Sequence, residues 1–447
     1  MRSLRLLLTA AVLLARGGLP SAADEPKENR ANRRAVLTQL HSRYTLDRAE
    51  AVRRLADFPP LEGAKLVMQS GLGDPEQEVR HAAYETLLTW KDEREVGNFL
   101  VKGLEKDLRA KGGPTAATPL LAVLLASELP DTQRRVDKFL ETSLAKSRDG
   151  AFILGGVADE LGLQGDRSAL PALRRLAGLK CVSETFACRR AVIQAIIRMR
   201  RPESVAALIA LLPGLDGEVR GDVVRHLEEI SGQRHGTDVK LWQAWWKEHA
   251  DSFEFPTTPA MVQGGEGAPG PQAAPSYYGI SIYARRLLFV IDTSGSMTGQ
   301  RIQTAKRELI SAIKALPNDA ELGILVFNTQ VTVWRPALIP ATAAAKQEAV
   351  YFVNNLAASG RTAAYDALDR AFHFDPEAIY FLSDGEPTCG KIVSPEGILA
   401  AVHTGNRNRR ISIYSIGIAP GAPGSRLELF MKTLAEQNFG QFRRVDQ

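Results

Sequence analysis

From about Asn32 to Ala250 apolar residues recur at helical spacing, interrupted by short breaks at Asp, Gly and Pro, and this periodicity predicts helices almost throughout. Two stretches, "DPEQEVRHAAYETLLTW" from Asp74 and "LDGEVRGDVVRHLEEISG" from Leu215, place a Val-Arg pair at matching points before an apolar helical face. Their valines, Val79 and Val219, lie 140 residues apart, which is four steps of about 35 and close to the length of a helix-turn-helix repeat. "SALPALRRLAGL" and "ESVAALIALLPGL" read as the first helices of two adjacent units, whereas the period is degenerate between Trp90 and Gly165. In "DVKLWQAWWKEH", Trp242, Trp245 and Trp246 stand three and four residues apart on one helical face, where three indoles can seal the exposed end of a last repeat.

The repeating stretch resembles HEAT-type repeats, which stack helix pairs into an α-solenoid because one pair cannot bury its apolar face alone. The resemblance implies protein recognition over an extended surface, with a bland spacer as the competing reading. After it, "PTTPAMVQGGEGAPGPQAAPS", Pro256 to Ser276, is rich in Pro, Gly and Ala and carries almost no charge, the composition of a flexible linker.

From Tyr277 onward the pattern changes. "RRLLFVID", "ELGILVFN", "AIYFLSD" and "ISIYSIGIA" are short, mostly apolar runs, as expected of central strands covered on both faces. Between them lie amphipathic segments such as "RIQTAKRELISAIKAL", "AAAKQEAVYFVNNLAA" and "TAAYDALDRAF". Strand-helix alternation predicts an α/β doubly wound, mostly parallel sheet, in which ligands bind beyond the carboxyl ends of the strands.

Two aspartates stand at such ends: Asp292 in "FVIDTSGSM", followed by Ser294 and Ser296, and Asp384 in "FLSDGEPT". A further element, "SGRTAAYDAL", places Thr362 on a loop just before a helix. Two carboxylates with two or three hydroxyls are all oxygen donors, which suits a hard divalent cation that keeps some of its water. This combination resembles the von Willebrand factor type A (VWA) domain and its metal-ion-dependent adhesion site (MIDAS), whose motif is Asp-x-Ser-x-Ser, a distant Thr and a distant Asp. Asp292, Ser294, Ser296, Thr362 and Asp384 match it in order and in strand or loop context. The resemblance implies a site holding Mg2+, bound directly by the serine hydroxyls, joined by Thr362, with the aspartates acting largely through water. It also implies an open coordination position that accepts a carboxylate from a partner protein. One departure is Arg361, where the family more often has glycine; its side chain either points away or meets the incoming acid.

Two other chemistries fit less well. "GEPTCGKI", Gly385 to Ile392, has the spacing of a phosphate loop, but Ile392 replaces the Ser/Thr that would hold Mg2+, Pro387 removes an amide donor, and no helix opens directly after it. Hydrolysis by Ser294 would need a base within reach. His373 and His403 sit in segments without triad or zinc-binding spacing, so the chain reads as a non-enzyme.

Composition adds the setting. The 447 residues, 45% hydrophobic and 24% charged, suffice for two or more cores. The opening "MRSLRLLLTAAVLLARGGLPSAADEP" has basic Arg2 and Arg5, an apolar run from Leu6 to Leu14 too short for a membrane-spanning helix, and small residues at Ser21 and Ala23, so residues 1–23 read as a removable secretory signal. Its removal takes away Arg2, Arg5 and Arg16 and no acid, which lowers the formal charge from +5 to +2 and excludes a strongly basic nucleic-acid binder. A secreted or periplasmic location follows, without membrane insertion after cleavage; an uncleaved signal anchor is the alternative. Three cysteines make no disulfide framework, although Cys181 and Cys188 are spaced to close a small loop under oxidising conditions or to be two buried thiols. The expected organisation is therefore a HEAT-like region over 32–250, a linker over 251–276 and a VWA domain over 277–447. The expected function is cation-dependent capture of an acidic protein group, and the alternative is a scaffold that recognises partners through the solenoid around a structural cation.

Overall fold

The computed structural model describes residues 27–108, 116–144, 150–164, 169–256 and 274–446. The expected signal at 1–23 and most of the expected linker lie outside these residues. Among the described residues no helix is long and apolar enough to cross a membrane. The chain divides into two compact units, Met1–Lys138 and Phe139–Gln447.

The first unit is helical: α1 (Lys27–Gln39), α2 (Thr45–Arg54), α3 (Pro60–Ser70), α4 (Gln77–Leu88), α5 (Arg94–Leu108), α6 (Ala117–Ala126) and α7 (Pro130–Phe139). Its buried positions, including Val52, Val79, Leu87, Leu100 and Leu121, are those the helical period selects. Arg48 clamps Asp74 through two nitrogens at 2.7 and 2.9 Å, and this guanidinium holds the Asp74 carboxyl below its usual range.

The second unit begins with more helices: α8 (Gly150–Gln164), α9 (Ala169–Ala177), α10 (Lys180–Ser183), α11 (Phe186–Arg198), α12 (Pro202–Leu211), α13 (Gly217–Ser231) and α14 (Val239–His249). Short breaks between helices, with Val219 as deeply buried as Val79, give the helical-repeat character that the sequence period describes. Asp238 opens α14 by accepting hydrogen bonds from the Lys240 and Leu241 amides. Trp242 and Trp245 are buried and meet edge to face at 6.0 Å, and Phe253 packs on Trp245 and Trp246 at 5.8 and 5.3 Å. Cys181 and Cys188 are present as thiols, and burial pushes the Cys188 thiol up to about 11, with Cys181 adding to the shift.

One buried imidazole is expected to make this region acid-sensitive. His226 on α13 stacks on Phe255, and burial pushes its pKa from 6.5 down to about 4, with the positive charge of Arg200 adding to the effect. The unfolded chain therefore binds the extra proton between those values, so stability is full above pH 6.5 and is lost as pH falls toward 4. The expected loss from this group is about 2 kcal/mol by pH 5. Urea midpoints at pH 7.5 and 5 check it: His226→Leu should flatten the difference, and an equal acid loss in both proteins would contradict the assignment.

The rest of the unit is an α/β domain. A hairpin, β1 (Ser276–Tyr277) and β2 (Ile280–Ser281), precedes β3 (Arg286–Asp292), β4 (Glu321–Phe327), β5 (Val331–Val333), β6 (Ile339–Pro340), β7 (Ala378–Ser383), β8 (Ser412–Ile418) and β9 (Phe442–Val445). Between them run α15 (Gln300–Ala315), α16 (Ala343–Asn354), α17 (Ala364–Ala371), α18 (Pro395–Asn406) and α19 (Arg426–Glu436). The sheet order is β5-β4-β3-β7-β8-β9 with β6 also on β4; β3, β4, β7, β8 and β9 are parallel, and β5 and β6 are antiparallel. Alternation along β3 sends Leu287, Phe289 and Ile291 into one core with Leu309 of α15 and Val353 of α16, and Leu288 and Val290 into the other with Leu368, Val402 and Leu434. Both faces are thus covered, which is why the central strands read as continuous apolar runs.

The helices α11 and α13 abut the amino ends of these strands. Glu377, just before β7, accepts from the amides of Glu218 at 2.9 Å and Arg285 at 3.0 Å. Gly217 leaves room for it: φ is +57° and a Cβ there would lie 2.3 Å from Glu377 Oε2. Arg190 of α11 is fully buried, forks onto Asp222 at 2.7 and 2.8 Å, and donates to Ser412 Oγ at 2.8 Å and to the Arg410 carbonyl at 2.6 Å. Tyr414 and Arg225 both donate to Glu218, the latter at 2.5 Å. The contacts therefore join helices before residue 250 to strands after 277 in one compact unit, and the carboxyl ends of the strands face the other way.

Candidate metal centre

Asp292 ends β3, and the chain leaves the sheet through a tight turn, Gly295–Met297, because Thr293 is tied back to β4. Its amide donates to the Phe327 carbonyl at 2.7 Å. The turn reaches a second loop through Gly295 N–H to the Gly360 carbonyl at 3.0 Å and Ser359 N–H to the Thr293 carbonyl at 2.8 Å. That loop is zipped in turn to the segment after β7: Thr362 N–H donates to Thr388 Oγ1 and Thr388 N–H to the Thr362 carbonyl, both at 2.9 Å. Three segments separated by tens of residues are held mostly by main-chain bonds, and the side chains between them need little further ordering.

The five oxygen-bearing residues expected from the sequence meet there. Ser294 Oγ and Ser296 Oγ are 3.0 Å apart, and Ser296 Oγ donates to Asp384 Oδ1 at 2.7 Å. Asp292 accepts from the Ser294 amide at 2.7 Å and from Ser383 Oγ at 2.5 Å. Thr362 closes the set through Gly385: a Cβ on that glycine would stand 3.4 Å from Ser296 Oγ and 3.8 Å from Thr362 Oγ1, so the missing side chain leaves open space between the two hydroxyls. Asp292, Ser294, Thr362 and Asp384 are buried, and Ser296 is exposed, so the cluster opens to solvent on one side.

Electrostatics favour a cation in that space. Burial pushes the Asp292 carboxyl up to about 6 and the nearby Asp384 charge adds to it, against the lowering effect of the Ser383 and Ser294 hydrogen bonds. An ionised Asp292 is thus undercompensated, and a positive charge beside it would offset the cost. Among the described residues no group of three or more His, Cys, Asp or Glu is arranged to hold a metal ion, so a cation here would depend on the hydroxyls as well as the two carboxylates. An all-oxygen donor set of this kind suits Mg2+ and has no soft ligand to favour zinc or copper.

Residues 285–443 match the model of the von Willebrand factor type A domain. The chain carries a VWA domain. Related chains include inter-alpha-trypsin inhibitor heavy chain H3 of Mesocricetus auratus, 32% identical over 181 residues, which cover 37% of this chain and 20% of the relative. Heavy chain H4 of Homo sapiens is 30% identical over 180 residues, 37% of this chain and 19% of the relative. The chain therefore spans about a fifth of the length of these curated relatives. Among solved structures, a von Willebrand factor type A protein from Catenulispora acidiphila matches with a TM-score of 0.32 and 20% identity, covering 36% of this chain and 38% of that one.

Several residues of this cluster escape the sequence pattern. Ser383 is buried beside Asp292, and aligning β3 and β7 by their carboxyl ends would have found it, because Leu382 pairs with Ile291 one step earlier. Gly385 and Thr388 shape the loop after β7 and carry no motif signal. Arg301, on the first turn of α15, contacts Asp384 across the chain. Arg361, left open by the sequence, turns its guanidinium to the Thr388 carbonyl, while its amide donates to Thr329 Oγ1 at 2.9 Å. The phosphate-loop spacing at Gly385–Ile392 is followed by Val393 and Ser394 before α18 starts at Pro395, so no helix opens directly after that loop.

Proposed function

We propose that the VWA domain is a non-enzymatic, cation-dependent interaction module of an exported protein, and that its partner is a protein offering an acidic side chain. The observation that carries the reading is the convergence of Asp292, Ser294, Ser296, Thr362 and Asp384 from three loops onto one solvent-facing space, with Ser294 Oγ, Ser296 Oγ and Asp384 Oδ1 in consecutive contact at 3.0 and 2.7 Å. A divalent cation, Mg2+ by donor type, supplies positive charge and an open coordination position for a carboxylate. The chain's own residues do the rest. Ser294 and Ser296 present hydroxyls, Asp384 orients Ser296 by accepting its hydrogen bond, and Ser383 holds Asp292 in place. The helices at the opposite ends of the strands leave this rim uncovered. The similarity to inter-alpha-trypsin inhibitor heavy chains supports a protein-protein interaction module, carried over here as part of the proposal.

The test is isothermal titration of the full chain with Mg2+ and Mn2+, followed by capture of acidic peptides with and without chelator. Saturable one-site cation binding, with peptide capture lost in chelator and restored by Mg2+, is the expected result. Absence of cation binding at millimolar concentrations would overturn the proposal.

A further inference from the structure

We infer that Arg301 is the built-in counter-cation of Asp384 and competes with a divalent cation for that carboxylate; the inference rests on the cation reading above. Arg301 Nη1 donates to Asp384 Oδ2 at 2.6 Å and lies 3.3 Å from the Ser296 carbonyl. The Asp384 side chain is 0% exposed and that of Arg301 34%, so the guanidinium reaches in from the rim to a buried acid. Asp384 thereby has both oxygens engaged, Oδ1 by Ser296 and Oδ2 by Arg301. Asp292 has only neutral donors. The two carboxylates are thus treated differently, and the one next to the exposed serine carries the ion pair.

The position of Arg301 argues for a role beyond local stability. It is the second residue of α15, whose first turn has no acidic residue, so its charge sits at the positive end of the helix dipole, where a cation is disfavoured. The pairing with Asp384 offsets that placement. When a divalent cation enters, it finds one of the two negative charges already spoken for and a guanidinium on the same rim. Arg301 therefore weakens the cation. It also leaves the loaded site with one more positive charge than its two carboxylates balance, which suits an anionic partner.

The experiment compares Mg2+ binding to the full-length wild type, Arg301→Gln and Arg301→Lys by calorimetry, with melting curves in chelator and in saturating Mg2+. Arg301→Gln should bind Mg2+ about fivefold or more tightly and should gain more melting temperature from Mg2+ than the wild type does. Arg301→Lys, which keeps the charge, should stay near the wild-type affinity and checks that any change comes from charge and not from altered folding. Equal or weaker Mg2+ binding by Arg301→Gln, with the wild type binding normally, overturns this inference and leaves the cation reading intact. No Mg2+ binding by any of the three overturns both.

Discussion

Asp292→Ala is expected to weaken Mg2+ binding at least tenfold, about 1.4 kcal/mol, with the fold retained. The carboxylate sits at the end of β3 and is fully buried, and burial already pushes its pKa up to about 6, so its ionised form is the group in the site most in need of a neighbouring positive charge. Removing it deletes one of two carboxylate charges that would balance the cation. The fold should tolerate the change because the orphaned donors have alternatives: Ser383 Oγ also reaches the Gly385 carbonyl at 3.1 Å. No packed hydrocarbon is lost, since Asp292→Ala keeps Cβ and removes only the carboxylate. Calorimetry with Mg2+ and a melting curve in chelator separate the two effects. An unchanged Mg2+ affinity would rule out Asp292 as part of a cation site, and a collapsed melting transition would show that its role is structural.

Arg190→Met is expected to destabilise the second unit by about 3–5 kcal/mol, because it removes the guanidinium that forks onto buried Asp222 and leaves that acid with Arg225 as its remaining cation. Arg190 is 0% exposed, and besides its two bonds to Asp222 it satisfies Ser412 Oγ and the Arg410 carbonyl. Phe439 also lies under the guanidinium at 4.7 Å, adding a cation–π contact. Pairing the change with Asp222→Leu should recover part of the loss, since an apolar pair of similar volume avoids the uncompensated charge. Arg225, which also touches Asp222 at 2.8 Å, then keeps Glu218 as partner. Urea unfolding of the wild type, the single variant and the double variant measures this. A single variant as stable as the wild type would mean that the network contributes nothing to holding α11 and α13 on the strand ends.

Much of this protein is legible along the chain. The central strands β3, β4, β7 and β8 fall within one residue of the four apolar runs, because burial on both faces of a parallel sheet forces uninterrupted hydrophobicity. The helical periodicity before residue 250, the buried Trp242 and Trp245, and the set Asp292, Ser294, Ser296, Thr362 and Asp384 follow equally from local pattern and motif order. The short β5 and β9 were not legible: both are partly exposed, so their sequences carry no continuous apolar run.

What only the tertiary structure decided is which distant residues share a charge environment. Arg190 and Ser412, 222 positions apart, look like an ordinary helix residue and an ordinary strand residue until α11 and β8 are brought together, and the composition of Pro256–Ser276 conceals that joining altogether. Arg301 reads as one more exposed helix cation, and its 2.6 Å contact with Asp384 exists only because α15 starts beside the end of β7. The physical reason is common to both cases. Hydrophobic periodicity is written into neighbouring residues and fixes which face is buried, whereas ion pairing depends on separations in space that no local pattern records.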